Sequence, residues 1–508
     1  MSAPGTLTWF ARHECRLAWR DWLSMMTAGR RRRARSIAIG LVVFAVFMHG
    51  LAYAMVGRYG HVAADADKTV LLVISGNALL SAALMLSQAM ESVTRAFYSR
   101  ADLDLILSSP ASARRLFSVR IGAMALAITL MAVLLAAPFI DVLALTGGAR
   151  WLGAYGVVAA LGMMATALAV GLTIALFRVL GPRRTRLVAQ IVAAIIGAAF
   201  VIGLQVAAIF SYGTLSRLAF LQSDALAALM PDTQSVVWWP ARAILGDVGA
   251  LAAVLATAIA LLGAAIFVFA PIFAEHATAA AGVAHAATRS RRWTGFRRAS
   301  PMGALRRKEW SLLRRDPWLV SQTLMQLLYL LPPALLLWRS FASGAGAPAL
   351  LVPVLVMAAG QLAGGLAWLA ISGEDAPDLI ASAPVSARQV LRAKIEAVLG
   401  GIALAFAPFV LALAFAAPFG AFVSALGIVA ATASATAIQL WFRSQAKRSH
   451  FRRRQTSSRV ATFAEALSSI GWAATGAVAA AGSWLALVPG LFTLAILAGV
   501  RLISPTRN

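Results

Sequence analysis

Charged residues are scarce in this chain: they make up 13% of its 508 residues, whereas apolar residues make up 60%. A soluble protein with so few charges would expose large apolar patches and aggregate. The apolar residues are instead collected in runs of about 20, the length at which an α-helix crosses roughly 30 Å of hydrocarbon. The composition therefore predicts an all-α, polytopic membrane protein and argues against a soluble globular domain.

Several chemical motifs are also missing. The single cysteine, Cys15, rules out an intramolecular disulfide and a paired-cysteine metal site. None of the four lysines follows a glycine, so there is no phosphate-binding P-loop, and no His-Glu-x-x-His or Gly-x-Ser-x-Gly motif occurs. His49 and His61 lie near one end of the first apolar run, but two isolated histidines indicate a metal site only weakly. We therefore expect no cofactor and no enzymatic activity in this chain.

The apolar runs themselves contain almost no charge. Asp141, Glu396 and Glu465 are the main exceptions, and each lies near the end of a run. A charge in the middle of a membrane helix costs about 2.5–3.5 kcal/mol on insertion scales, so chains that keep one usually use it. Secondary transporters coupled to protons or sodium commonly hold such groups near the midplane. An embedded enzyme would need clustered His, Asp or Glu. Neither pattern is found here.

Acidic residues are few as well: 19 Asp and Glu stand against 45 Lys and Arg, a net charge of +26. In a soluble protein this excess would suggest nucleic-acid binding. Here the bases lie in short tracts between apolar runs, which the positive-inside rule explains without nucleic acid. The loops on one side of the membrane hold only six of the 45 Lys and Arg residues, which leaves 39 for the other side. The six are Arg58, Lys68, Arg150, Arg217, Arg242 and Arg339. We expect a bacterial inner-membrane protein with both termini cytoplasmic, in contact with anionic lipid.

Twelve apolar runs are present, six in each half. They predict twelve transmembrane helices as a 6+6 tandem repeat, at about 36–56, 69–90, 121–146, 151–177, 187–210, 250–273, 319–338, 349–371, 395–418, 421–442, 462–480 and 484–502. The predicted domains are an N-terminal amphipathic interfacial segment (1–35), a first six-helix half (36–273), a cytoplasmic linker with a second interfacial helix (274–318) and a second six-helix half (319–508). An ordinary soluble helix is the alternative for the first segment.

Two polar stretches in otherwise apolar surroundings carry the repeat. We call residues 101–114 the first polar island and residues 374–388 the second polar island. From Asp104 to Arg114 and from Asp378 to Arg388, the residues Asp, Leu, Ile, Ser, Pro, Ser, Ala and Arg recur at one constant offset. A base follows at the same distance in each, Arg120 and Lys394. The chain is therefore interpreted as an internal duplication.

A looser pair of motifs precedes the islands. Glu14-x-x-Leu17-x-x-Arg20-Asp21 matches Glu309-x-x-Leu312-x-x-Arg315-Asp316. Both copies belong to basic, amphipathic segments next to an apolar run, which is typical of helices that lie in the membrane interface. The candidate interfacial-helix residues are Glu14, Arg20, Asp21, Glu309, Arg315 and Asp316.

The segments 91–120 and 372–394, which contain the islands, are each predicted to form a helix–turn–helix at the cytoplasmic surface. Pro110 and Pro384 end the first helix, because proline lacks an N–H and clashes with the preceding turn. Ser112 and Ser386 are placed to cap the next helix. Acids in a basic zone indicate a protein partner, the alternative being a re-entry turn whose acids only pair with nearby arginines. The candidate partner-contact residues are Asp102, Asp104, Ser109, Pro110, Arg114, Glu374, Asp375, Asp378, Pro384 and Arg388.

One segment on the predicted outer side, 211–249, is longer than the other outer loops. It contains the apolar, tryptophan-rich stretch Val236-Val237-Trp238-Trp239-Pro240, which is too short to cross a membrane. Such a stretch fits a re-entrant or interfacial helix. The matching segment of the second half, near Gly482, has almost no length.

Together these features resemble the permease subunits of ABC exporters of the second type, with two halves fused in one chain. The resemblance rests on the interfacial helix before the first span, the polar element between the second and third spans, six spans per half and the outer segment. It implies that each island is a coupling helix that docks on a separate ATPase dimer, and that the unknown cargo is exported. A six-plus-six secondary transporter, a membrane-embedded enzyme and a structural anchor remain the alternatives.

Overall fold

The chain forms α-helices and short 3-10 turns in the part that the computed structural model describes. That part covers residues 6–27, 34–62, 67–98, 113–212, 224–283, 300–315, 348–371, 382–442 and 459–502, with a few isolated positions between them. No strand occurs within these ranges. The all-α prediction is confirmed there.

The helices divide into two compact units, which meet in sequence at Arg292 and Trp293. The first unit contains α1 (Leu7–Thr27), α2 (Ala34–Val56), α3 (Lys68–Tyr98), α4 (Ala113–Gly147), α5 (Gly153–Tyr212), α6 (Asp224–Leu229), α7 (Trp239–Ile244) and α8 (Val248–Val283). The second contains α9 (Pro301–Arg315), α10 (Pro348–Ile371), α11 (Ala387–Ala416), α12 (Pro418–Trp441), α13 (Arg459–Ala480) and α14 (Leu487–Leu502). This division falls inside the predicted linker.

Eight helices of the described chain are long and apolar enough to cross a membrane, four in each unit. They coincide with eight of the twelve predicted runs, and the chain is a polytopic membrane protein. The runs at 36–56, 187–210 and 462–480 are also helical, within α2, α5 and α13. The run at 319–338 lies almost wholly outside the described residues.

The core of the first unit lies between α3, α4, α5 and α8. Met90, Phe117, Ile121 and Ile174 are buried there. The long helix α5 turns at Gly181, whose positive φ of 70° suits a residue without a Cβ. The Thr185 hydroxyl donates to the carbonyls of Gly181 and Leu176 across this turn, at 2.8 and 3.1 Å. The turn lies in the predicted inner loop at 178–186, so α5 contains two of the predicted runs.

The predicted outer segment packs onto the ends of the spans. It forms α6 and α7, each of six residues, and a 3-10 turn between them. Trp238 is 1% exposed and packs with Leu71, Leu72 and Trp151, and its indole N–H donates to the Asp232 carbonyl at 3.1 Å. The part of the segment that is described from residue 224 onward thus forms two short helices that pack on the bundle.

In the second unit α10 is the central helix: 83% of its most apolar stretch is buried. Its Gly360 allows close packing, because a Cβ there would lie 2.5 Å from the Ser469 hydroxyl of α13. Buried polar pairs also join the helices. The Gln439 amide donates to the Glu465 carboxylate, and the Trp472 indole donates to the Ser434 hydroxyl at 2.8 Å. These contacts hold α10, α12 and α13 together.

Candidate functional site

The second polar island is described from residue 382 onward, together with 379–380. Pro384 lies exposed in a tight turn that ends at Ser386. The Ser386 hydroxyl accepts the backbone N–H of Gln389 at 3.3 Å, and the Gln389 side chain accepts the N–H of Ser386 at 3.2 Å. This reciprocal pair is a capping box, which fixes where α11 begins. The predicted serine cap is confirmed in this copy, and Arg388 is exposed in the first turn of α11.

Helix α9, the second predicted interfacial helix, packs against α11. Glu309 lies in this contact and is 1% exposed, and Lys394 of α11 is 3% exposed. The Lys394 Nζ lies 3.9 Å from Glu309 Oε1, which also accepts the ammonium of Lys308 at 3.1 Å. Buried charges are retained in proteins when they are paired, since an isolated one is very costly. Glu309 is therefore engaged with protein groups.

Lys394 makes a second contact, with the last turn of α10. Its ammonium donates a hydrogen bond to the carbonyl of Ala370. The final four carbonyls of a helix have no partner within the helix, and a lysine often supplies one. Because α10 leads into the second polar island and α11 leads out of it, Lys394 ties the two ends of the island together.

A second ionic contact joins α9 to α11 nearer the surface. The Arg306 guanidinium donates to both oxygens of Glu396, from Nε at 2.6 Å and from Nη2 at 3.0 Å. Arg392, one turn before Glu396, donates to Oε1 at 3.0 Å. The hydrogen bonds that Arg306 donates to Glu396 raise the pKa of the Arg306 guanidinium above its ordinary value. The bidentate geometry fixes the angle of α9 on α11 better than a single contact would.

The first half repeats the helix pairing but not these contacts. Helix α1 packs against α4, the helix that follows the first polar island. Glu14 is half-buried in α1 and Arg120 is half-buried in α4. In the described part of the chain no ion pair joins these two side chains. Arg114 is exposed, and its guanidinium lies 5.2 Å from the centre of the Phe267 ring.

The predicted site residues are thus only partly placed. Arg20 is exposed in α1, which also contains Asp21, and Arg315 is the last residue of α9. The structure brings together Glu309 and the helix that carries Arg388. The remaining candidates lie outside the described residues: Asp102, Asp104, Ser109, Pro110, Asp316, Glu374, Asp375 and Asp378.

Sequence reasoning did not find the joint between α9 and α11. It noted Lys394 as a base at a repeated distance and Glu396 as an acid near the end of a run. It assigned neither of them to the interfacial helix, and Arg306 was not singled out. The available signal was Glu309, an acid at a repeated position of a strongly basic segment, which needed a cationic partner elsewhere.

A separate polar cluster lies at the predicted outer end of α4. The Tyr155 hydroxyl donates to Asp141 Oδ1 at 2.6 Å, and His49 Nε2 lies 3.3 Å from Asp141 Oδ2. The other ring nitrogen of His49 lies 2.8 Å from the Ala45 carbonyl. The cluster borders an open pocket of about 470 Å³. His49, which the sequence placed near His61, therefore bonds to Asp141, and no metal-binding group of three ligands is found among the described residues.

No family model, curated protein or solved structure matches this chain.

Proposed function

We propose that this chain is the permease subunit of an ATP-driven exporter of the second ABC type. In this proposal the chain spans a bacterial inner membrane twelve times, as six plus six helices with both termini in the cytoplasm. It hydrolyses no ATP itself, because the sequence has no P-loop. A separate ATPase dimer supplies the energy, and one fused chain serves both of its subunits.

The observation that carries the proposal is the closure of the second polar island by Lys394. A coupling element transmits force only if it is joined rigidly to the spans on either side. The bond from Lys394 to the Ala370 carbonyl links the helix that enters the island to the helix that leaves it. The capping box at Ser386 fixes the start of that second helix. An ordinary re-entry turn has no need of a buried charge at this junction.

The acids of the islands supply the docking chemistry in this proposal. Asp104 and Asp378 occupy matching positions of the repeat, on the side of the membrane to which most of the bases are assigned. ATP binding closes the ATPase dimer and moves both islands together. The spans attached to the second island, α10 and α11, then move as one body because Lys394 joins them, and the pathway reopens to the outside. Such a transition needs differential contacts in the two states, which the ATPase dimer provides.

A secondary transporter is the less supported alternative. Coupled carriers hold their ionisable groups near the membrane midplane. Asp141 lies six residues before the end of α4, and Glu465 lies six residues after the start of α13. Both are therefore within two turns of a helix end, where a charge is tolerated without a transport role.

Co-purification tests the proposal. The chain is purified from its native host in mild detergent, and an ABC ATPase is expected to accompany it. Reversal of both charges, Asp104→Lys with Asp378→Lys, is expected to reduce the bound ATPase at least about tenfold, because breaking a buried charged contact costs about 2–5 kcal/mol. Changing Arg452, Arg453 and Arg454 to Gln is the control and should leave the yield unchanged. Wild-type yield in the double reversal would show that the islands are only re-entry turns.

A further inference from the structure

The duplicated helix pairs differ in their charges, although the sequence motifs around them match. At the constant offsets of the repeat, Glu309 corresponds to Glu14 and Lys394 corresponds to Arg120. Arg306 corresponds to Ala11, and Glu396 corresponds to Gly122. The buried acid and its base thus have counterparts in the first half, whereas the bidentate surface pair has none.

The space at Gly122 shows that this difference is structural. A Cβ built at Gly122 has no atom within 4 Å, so that face of α4 is open at the point where α11 carries a carboxylate bonded to two arginines. Among the side chains that the structure describes, no ion pair between α1 and α4 matches those that fix α9 on α11. A first-half version of the bidentate pair would need two substitutions.

We propose that Arg306, Glu309, Lys394 and Glu396, which we call the α9–α11 charge cluster, are positioning residues that make the joint of α9 with α11 more rigid than the joint of α1 with α4. This inference rests on the proposed coupling function and adds to it that the helices leaving the two polar islands are braced unequally. Helix α9 supports two neighbouring helices. Its Arg306 bonds to Glu396 of α11, and its Glu309 contacts Lys394 of α11, which in turn bonds to the end of α10.

The buried and the exposed contacts contribute differently. The Arg306–Glu396 pair is partly exposed, with side-chain exposures of 50% and 31%, so solvent and salt weaken it. Glu309 and Lys394 are shielded from both. Solvent and salt therefore screen the attraction within the buried pair less than the attraction within the surface pair. The surface pair sets the direction of the joint through its two parallel hydrogen bonds.

Amide hydrogen exchange on the full-length chain in lipid nanodiscs tests the cluster without any ATPase. The variant Glu309→Gln with Lys394→Met keeps the packing but removes both buried charges, and it loses the bond to Ala370. We expect exchange at residues 382–392 to become faster by about tenfold or more, as in local unfolding of a helix end. The matched first-half variant, Glu14→Gln with Arg120→Met, should change exchange at residues 113–124 by less than about twofold.

A second variant keeps the inference testable if the buried double variant does not fold. Arg306→Gln with Glu396→Gln changes only partly exposed side chains, so the fold should survive, and exchange at 382–392 should again increase, by about threefold or more. Unchanged protection at 382–392 in both variants would overturn the inference. Equal loosening of 113–124 in the first-half variant would overturn the inequality of the two joints.

The same samples separate this inference from the proposed function. If the wild-type chain carries no ATPase, the coupling proposal fails, while the exchange result still decides whether the cluster holds the island. If the ATPase binds, the Glu309→Gln, Lys394→Met variant should retain it at wild-type yield. Addition of ATP should then alter exchange in α11 of the wild-type complex but not in that of the variant. A variant that responds to ATP like the wild type would show that the cluster has no positioning role.

Discussion

At the scale of single residues, several charged side chains of this membrane protein bond to other groups of the protein. Of the six bases on the predicted outer side, four are bonded to protein groups within the described chain: Arg58 to Tyr59, Lys68 to the Met230 carbonyl, Arg150 to the Gly60 carbonyl, and Arg242 to Asp247. Each satisfies a carbonyl, hydroxyl or carboxylate that water would otherwise have to reach. Charge that opposes the positive-inside rule is thus retained where it stabilises the fold.

Gly147 is required by a close approach between two helix ends. A Cβ there would lie 1.9 Å from the carbonyl oxygen of Gly60, whereas a Cβ at Gly122 of the same helix meets open space. We expect Gly147→Ala to destabilise the protein by about 1–3 kcal/mol through overpacking. Gly122→Ala should stabilise it by about 0.5–1 kcal/mol, because alanine loses less entropy in a helix. Thermal unfolding in detergent measures both, and equal shifts of the same sign would contradict the assignment.

Asp247 makes the stability of the first unit depend on pH. Its Oδ1 accepts the backbone N–H of Ala250 at 2.9 Å, and Oδ2 accepts Arg242 at 2.6 Å. The Ala250 bond is the largest contribution that holds the pKa of this carboxyl below its ordinary value, and burial opposes it. A depressed pKa in the folded state stabilises the protein above the unfolded pKa, and this stabilisation is lost as the pH falls through the folded pKa.

The variant Asp247→Ala checks that sign. At pH 7 it should be less stable than the wild type by about 1 kcal/mol, the usual cost of a lost helix cap. The difference should begin to narrow as the pH falls below about 4, where the carboxyl of the unfolded chain protonates, and it should vanish below the lower pKa of the folded state. Gln234→Ala removes an uncharged partner of Arg242 and should give an offset that does not vary with pH. A constant offset for Asp247→Ala would refute the pH argument.

At the scale of elements, short helices that do not cross the membrane pack against the ends of the membrane-spanning helices. Helices α6 and α7 cover the predicted outer ends of the first unit, and α9 braces the predicted inner end of the second. In each place a polar or aromatic side chain is buried where the short helices pack on the spans: Trp238 in the first unit and Glu309 in the second. The amphipathic pattern of such segments is the same whether they lie on lipid or on protein.

Trp238 provides the test for the outer element. Its side chain is 1% exposed in the cluster with Leu71 and Trp151, whereas Trp484, in the predicted outer turn of the second unit, is 76% exposed. Trp238→Ala should destabilise the first unit by about 3–5 kcal/mol, because it leaves a large cavity. Trp484→Ala should stay within about 0.5 kcal/mol of the wild type in the unfolding measurement. If both variants lost a similar amount of unfolding free energy, Trp238 would face lipid and not the interior of the unit.

At the scale of the whole molecule, the prediction that remains is the orientation in the membrane. The division of bases places residue 453 in the cytoplasm and Ala225, within α6, outside. On a Cys15→Ser background, a thiol reagent that cannot cross membranes should label Ala225→Cys in intact spheroplasts and should label Arg453→Cys only after lysis. The reverse pattern would invert the topology, and it would also place both polar islands outside the cell.

The sequence by itself determined eight long apolar helices, the turn at Pro384 and the serine cap of α11. These features depend on local properties. They are the length of an apolar run, the missing N–H of proline, and a serine hydroxyl that accepts a hydrogen bond from the backbone N–H three residues further on. Each is set within a few residues, so a pattern in the chain is sufficient to predict it.

Only the tertiary structure decided what the interfacial helix touches. Glu309 meets Lys394, and Lys394 meets Ala370, because three helices separated in sequence pack at one point. The repeat predicted that Glu14 and Glu309 would play the same part, but Gly122 and Glu396 make the two joints different. Contacts of this kind depend on how helices dock. Docking follows from the shape of whole surfaces and not from any short stretch of sequence.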